Sequence, residues 1–192
     1  MDKKGKIIVV AAPSGCGKST IINALLEGGD LNLGFAVSAT TRLPRDGEVD
    51  GRNYYFMSEE AFRDAIAEGE FIEFEEVYPG RFYGTLRSEI ERITGQGHNI
   101  ILDLDVNGAL RVKKLYGNDA LAIFIQPPSV DELRRRLEFR GTETPEVIDV
   151  RIDRAQYEIS RAGEFDRVVV NDRLDTAINE TRNLIGGFIA LS

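Results

Sequence analysis

Short apolar runs, each followed by a polar turn and then a stretch with helical spacing, recur along this chain and set its fold class. The runs at Lys6–Ala11, Phe35–Ser38, Asn99–Leu104, Ala120–Ile125 and Arg167–Val170 read as buried strands. Between them, helical patterns begin near Lys18, Thr85, Val106, Ser129, Thr144 and Asp175. Ser129 with Glu132 has the form of a capping box, and Thr144-Pro145 offers an N-cap followed by proline at the first helical position. Strands alternating with helices in this way predict an α/β protein with a parallel core sheet.

Two stretches break the rhythm. From Ser38 to about Arg87 the chain runs through a polar, glycine-containing loop, strand-like NYYFM, a short helix over Ser58–Glu68, strand-like EFIEFEEV and then PGRFYG. This predicts a small inserted lobe with antiparallel pairing. Strand alternation there puts Phe71, Glu73 and Glu75 on one face and Ile72, Phe74 and Glu76 on the other. The second break, Pro127 to about Arg154, is a charged helix, RGTETPE and another helix, an arginine-rich hairpin suited to a mobile lid with Gly141 and Thr142 at its connection.

Composition narrows the class without naming a chemistry. A chain of 192 residues fits one domain with inserted lobes, and 42% hydrophobic with 29% charged residues is an ordinary globular balance. No apolar run approaches the roughly 20 residues that cross a bilayer. MDKKGK leads directly into a strand without a signal-peptide pattern. Cys16 is the single cysteine, so an intrachain disulfide is excluded and a cytoplasmic location is expected. A net charge of −8 argues against an extended nucleic-acid surface, so any anionic ligand must meet a local basic cluster.

The strongest such cluster is AAPSGCGKST, Ala11 to Thr20, placed between a strand and a helix. Glycines at 15 and 17 allow backbone N–H groups to turn inward as an anion nest, and the following helix adds its positive end. Lys18 suits the β- and γ-phosphates of a nucleoside triphosphate, and the Ser19 hydroxyl suits Mg²⁺. The phosphate-loop pattern GxxxxGK[ST] asks for glycine at position 12, where this chain has Ala12, a methyl compatible with the loop if the residue keeps a negative φ. Cys16 inside the loop reads as a small filler, with redox sensitivity as a minor alternative.

Arg42 and Arg45, three residues apart in a polar segment with Tyr54 nearby, suit bidentate phosphate recognition, or else simple pairing with Asp46 and Glu48. Glu73 stands among aromatics, where a carboxylate can accept from N1–H and N2–H₂ of guanine, while adenine presents an acceptor at N1 and is refused; the alternative is an exposed edge-strand glutamate, as Glu75 and Glu76 read. Asp103 and Asp105 end an apolar strand where α/β sheets bind ligands; one can hold the water shell of Mg²⁺, and Asp105 can equally cap the next helix. In the lid, Arg136 and Arg140 share a helix face and Arg151 follows on the next helix. Anion binding competes there with i,i+4 pairs such as Asp131–Arg135, Glu132–Arg136 and Arg134–Glu138. His98 opens a strand and reads as a surface residue.

Taken together, KGKIIVVAAPSGCGKST, VSATTRLPRDGEVDGRNYYF, EFIEF, RFYGT, ILDLDVNG, PPSVDELRRRLEFRGTET and VVVND resemble the guanylate kinase family over nearly the whole chain. The resemblance implies a P-loop NTPase three-layer α/β fold in one domain. Its parts would be a core (1–37, 88–126, 155–192), a GMP-binding lobe (38–87) and a helical lid (127–154). It implies transfer of the γ-phosphoryl of ATP to GMP, and to dGMP, for guanine nucleotide supply and GMP recycling. The substrates would be small molecules, with Mg²⁺ as cofactor and neither nucleic acid nor membrane as partner, in a monomer or homodimer. ATP would be held by Ala12, Pro13, Ser14, Gly15, Cys16, Gly17, Lys18, Ser19 and Thr20, with Asn171 and Asp172 near the adenine. GMP would be held by Ser38, Arg42, Arg45, Tyr54, Glu73, Tyr83, Thr85 and Asp105. Lys18, Arg42, Arg136, Arg140 and Arg151 would act on the transferring group, and Ser19 and Asp103 would hold the metal. A phosphopeptide-binding module would keep Arg42, Arg45 and Tyr54 but has no use for Lys18 and the lid arginines. A kinase of sugar phosphates has no use for Glu73 and Thr85.

Overall fold

The first apolar run becomes β1 (Ile7–Ala11), buried at every position because neighbours cover both of its faces. The computed structural model describes residues 4–141 and 144–191. After β1 come α1 (Lys18–Gly28), β2 (Leu33–Phe35), β3 (Ala39–Thr40), β4 (Tyr55–Phe56), α2 (Glu59–Ala67), β5 (Phe71–Tyr78), β6 (Arg81–Leu86) and α3 (Arg87–Gly95). The chain continues through β7 (Asn99–Asp103), α4 (Val106–Tyr116), β8 (Ala120–Gln126), α5 (Val130–Arg140), α6 (Pro145–Ser160), β9 (Arg167–Val170) and α7 (Leu174–Ala190). One sheet has the order β2-β7-β1-β8-β9 and the other β4-β3-β6-β5. The chain divides into two compact units, Met1–Lys6 with Gly34–Ile100, and Ile7–Leu33 with Ile101–Ser192. The stretch 127–154 is part of the second.

In the second unit, β8 pairs in parallel with β1 from Ile7↔Ala120 to Ala11↔Phe124, and β9 pairs in parallel with β8. Its core joins Ile8, Val10, Ile21, Leu25, Ile101, Ile123, Ile125, Val169 and Ile185. Leu133 and Leu137 of α5, and Ile148 and Ile152 of α6, belong to the same core, so the arginine-rich hairpin is anchored by an apolar stripe of its own. Ser129 caps α5 by accepting from the Glu132 N–H (3.1 Å), but the Glu132 carboxylate turns to Arg135 and Arg136 and does not close the predicted box. Thr144 makes no side-chain cap; Pro145 alone marks that helix start. Thr142, at the expected connection, lies outside the described residues.

In the first unit, α2 lays Phe62 and Ala65 on the small sheet. Phe62 stacks on Phe71 (4.2 Å between ring centroids) and on Phe82 (5.3 Å). Pairing of β3 with β6 and of β5 with β6 is antiparallel as expected, whereas β3 with β4 is parallel. The even alternation expected along β5 fails at its start. Phe71 opposes Leu86 but Glu73 opposes Thr85, an extra residue that makes a β-bulge. The bulge turns Phe71 to the face of Phe82 and Leu86, against α2, and leaves Glu73 and Glu75 on the other face with Thr85 and Tyr83.

The strand expected at Phe35–Ser38 is shifted to Leu33–Phe35. Its ladder stops because the Val37 N–H donates to the Glu89 carboxylate (3.2 Å). Glu89 is only 2% exposed and also accepts from Tyr55 Oη (3.1 Å) and from Arg92 Nε and Nη2 (2.9 and 2.8 Å). The helix expected from Thr85 starts at Arg87, because Thr85 and Leu86 remain in β6.

Burial by itself would raise the Glu89 carboxyl, but the bonds from Arg92, Val37 and Tyr55 outweigh it and hold the group below the usual glutamate range. A folded pKa below the unfolded one gives stability that is complete above the unfolded value of about 4.3 and is lost as pH falls through the folded one. Glu89→Gln is therefore expected to lower stability by ~1.5–3 kcal/mol at neutral pH. Thermal unfolding at a series of pH values checks this, and the wild-type and variant curves should converge on acidification.

Candidate functional site

The loop from Ala12 to Gly17 joins β1 to α1 and wraps the helix start. Gly15 and Gly17 have φ of 93° and 81°, in the left-handed region where a side chain is strained. A Cβ on Gly15 would also lie 2.9 Å from Leu137 Cδ2, and one on Gly17 would lie 2.7 Å from Asn171 Nδ2. Asn171 holds the loop from below: buried at 5% exposure, it donates Nδ2–H to the Cys16 carbonyl (2.8 Å). No side chain caps α1, and its first turn carries no acidic residue, so that helix end is electrostatically suited to an anion. Ala12 is buried, and among the described residues only Asn32 is a non-glycine with positive φ. The ordinary backbone required of Ala12 is thus present.

A cleft of ≈ 680 Å³ is lined by residues 12–20 together with Asp103, Leu104, Asp105, Arg151, Arg154 and Glu158. Lys18 Nζ donates to the Leu104 carbonyl (3.0 Å) and pairs with Asp103 Oδ1 (2.5 Å), which fixes the ammonium at the end of β7. Asp105 caps α4, its Oδ1 accepting from the Gly108 N–H (2.6 Å). Arg151 donates to Ser14 Oγ (3.2 Å). Arg154, with its Nε on Glu158 Oε1 (3.0 Å), is a cleft cation that sequence reasoning missed, since nothing in IDRAQYE marks which helix face it takes.

Ser19 is exposed at the start of α1, and among the described residues no group of three or more His, Cys, Asp or Glu could hold a metal. A hydroxyl and a carboxylate beside a phosphate cleft fit Mg²⁺, which keeps waters and phosphate oxygens in its shell.

Cys16 is 1% exposed. Burial pushes its thiol up to about 12, with Glu158 adding and Arg136 and Lys18 only partly offsetting the effect. Burial and the raised thiol both favour the reading of Cys16 as a core filler over the redox alternative.

Arg136 does not line this cleft. Its Nε pairs with Glu132 (3.0 Å), its Nη1 donates to the Asn171 carbonyl (3.0 Å) and its Nη2 to the Asp172 carbonyl (3.5 Å). It lines a second cleft of ≈ 310 Å³ with Gly15, Gly17, Thr20, Asn171 and Asp172. Of the predicted lid pairs, Glu132–Arg136 forms, whereas Arg134 reaches Asp149 (2.7 Å) and Arg135 reaches Glu132 (2.7 Å). The Arg140 side chain lies outside the described residues.

The first unit gathers the other predicted residues on its small sheet. Arg42 grips Glu48 with both nitrogens (2.8 Å each) and lies over the rings of Tyr54 (5.2 Å) and Phe56 (5.7 Å). Tyr54 meets Tyr83 edge-on at 6.0 Å, and Glu48 first and then Tyr83 favour the charged form of Arg42. The Glu48 pairing that sequence left as the bland alternative is therefore real, and it aims the guanidinium along the tyrosine pair. Arg42 holds the Glu48 carboxyl down at about 2, with the Arg45 N–H (2.7 Å) assisting. Arg45 itself is exposed, and Ser38 accepts the Tyr55 N–H through its carbonyl (2.9 Å). Thr85 Oγ1 donates to Glu73 Oε1 (2.7 Å), orienting a half-buried carboxylate. Thr85 and Tyr83 are two residues apart on β6, about 7 Å along the strand, so the residue that orients the carboxylate and the tyrosine of the arginine–tyrosine cluster share one face. His98 is exposed as expected. No helix among the described residues is long and apolar enough to cross a membrane.

The family profile described as guanylate kinase matches residues 4–186. A guanylate kinase of Bacteroides fragilis is 52% identical over 188 residues, 98% of this chain and 92% of that protein. That of Porphyromonas gingivalis is 53% identical over 185 residues, 96% and 98% of the two chains. Among solved structures, a guanylate kinase from Anaplasma phagocytophilum superposes with a TM-score of 0.73 at 34% identity, covering 97% of this chain and 87% of that one.

Proposed function

This chain belongs to the guanylate kinase family and transfers the γ-phosphoryl group of ATP to GMP, and we propose that two separate residue sets hold the two substrates. The observation that carries the proposal is the shared sheet face, where Thr85, which orients the Glu73 carboxylate, and Tyr83 of the arginine–tyrosine cluster stand two residues apart on β6. A nucleoside monophosphate has a base edge at one end and a phosphate at the other. Glu73, oriented by Thr85, accepts from guanine N1–H and N2–H₂, while Arg42, Arg45, Tyr54 and Tyr83 hold the phosphate. We extend the acceptor assignment to dGMP, which carries the same base edge and phosphate. Ser38 lies beside the same sheet, and Asp105 serves from the second unit as both helix cap and polar wall of the larger cleft.

The donor occupies the loop of residues 12–20, with the base toward Asn171 and Asp172. Lys18 and Arg151 neutralise the charge that spreads over the equatorial oxygens during in-line transfer. Arg136 and Arg140 serve the donor from the lid at 127–154, and the stretch 38–87 serves as acceptor lobe. Ser19, and Asp103 through water, would hold Mg²⁺, which supplies charge neutralisation at the β- and γ-phosphates. The acceptor phosphate is already ionised, so no strong general base is required. Catalysis rests on positioning and fixed charge.

A coupled assay of ADP release tests the assignment. ADP should appear mole for mole with GDP when GMP is the acceptor, and with dGDP when dGMP is. Equal ADP release with ribose 5-phosphate, or without any acceptor, would overturn it.

A further inference from the structure

Phe139, on α5, is 93% exposed, a ring free to meet a ligand. It does not stand alone on the surface: with Leu174 it forms the apolar part of the ≈ 310 Å³ cleft that Arg136 and Asp172 also line. Gly15, Gly17 and Thr20 wall both this cleft and the larger phosphate cleft. A ligand whose phosphates lie along the loop therefore has its remaining part directed into the Phe139 cleft. Two of the polar groups there are already engaged. The Asn171 amide donates to Cys16, and the Arg136 guanidinium donates to the carbonyls of Asn171 and Asp172. Beside the Thr20 hydroxyl and the Asp172 carboxylate, the cleft offers a ligand a π-face and an aliphatic side chain, a surface for stacking.

We propose that Phe139 is a binding residue for the donor nucleotide, stacking on its base against Leu174, so that the donor base is held by ring contact more than by edge recognition. This rests on the assignment of the triphosphate to the loop of residues 12–20. It has a consequence that assignment lacks: affinity should depend on the ring at 139 for any purine triphosphate, ATP and GTP alike.

The test is Phe139→Ala beside Phe139→Trp in the full chain, with GMP as acceptor. Stacking of a base on an aromatic side chain corresponds to about a 5- to 150-fold effect. Phe139→Ala should raise the KM for ATP by a factor in that range, and GTP as donor should weaken by a similar factor. The kcat and the KM for GMP should stay within about twofold, and Phe139→Trp should restore the ATP value. Inhibition by inorganic tripolyphosphate, which has no base, should be the same in all three proteins. Because the ring is solvent-exposed, melting temperatures should match. An unchanged KM for ATP in Phe139→Ala overturns the proposal, and so does tripolyphosphate inhibition that weakens in step with ATP. Calorimetric binding of ATP without acceptor separates this from the wider reading. If the wild type fails to turn over GMP, the site assignment fails, yet a loss of ATP affinity in Phe139→Ala still decides the role of the ring.

Discussion

Lys18→Ala is expected to lower kcat by at least about 100- to 1000-fold while leaving GMP affinity within a few-fold of wild type. The ammonium is fixed at the end of β7 by the Leu104 carbonyl and the Asp103 carboxylate, inside the cleft walled by the glycine loop. A cation held in place before reaction stabilises charge that develops on the transferring group without reorganising at the moment of transfer. Removing it leaves the loop N–H groups, the α1 end and Arg151, the other groups assigned to phosphate, which do not replace a centred positive charge. The groups assigned to GMP all lie elsewhere apart from Asp105. Steady-state kinetics combined with calorimetric GMP binding reads both quantities. A collapse of GMP affinity equal to the loss in kcat would contradict the separation of donor and acceptor residues.

The second large effect falls on Glu73→Gln, which should lower kcat/KM for GMP by about 10- to 150-fold, the equivalent of ~1.5–3 kcal/mol. An amide presents one acceptor and one donor where the carboxylate presents two acceptors. One contact to guanine is weakened, and the other places two N–H groups face to face. Thr85 continues to donate to the remaining oxygen, so the side chain stays oriented and the change is chemical more than structural. AMP, with an acceptor at N1, should gain relative to GMP. Unchanged kcat/KM for GMP would remove Glu73 from the guanine edge.

Much of this site was legible because its chemistry demands unusual residues at fixed spacing. Glycines at 15 and 17 stand where φ is positive and where Leu137 and Asn171 leave no room for a Cβ. What stayed hidden depends on events that leave no local mark. The bulge at the start of β5 reverses the face of Phe71, and no property of the residues Phe71–Glu73 announces an extra residue in the ladder. Glu89 looks like one more charge on a surface helix, yet its burial beside Val37 and Tyr55 ends β2 early. Arg136 and Arg151 were indistinguishable as lid cations. Packing of Leu133 and Leu137 into the core carries the first to the Asn171 carbonyl, while the second reaches Ser14. Ala12 was ambiguous because a missing glycine matters only through backbone conformation, which is ordinary there.

The central claim is that a carboxylate on the small sheet selects the acceptor base. The most direct measurement is the ratio of kcat/KM for GMP to that for AMP at saturating ATP. A site that leaves buried polar groups unpaired with the wrong base discriminates by about 10⁴ or more, and that is the ratio predicted for this protein. A ratio near 10 or below would contradict the account.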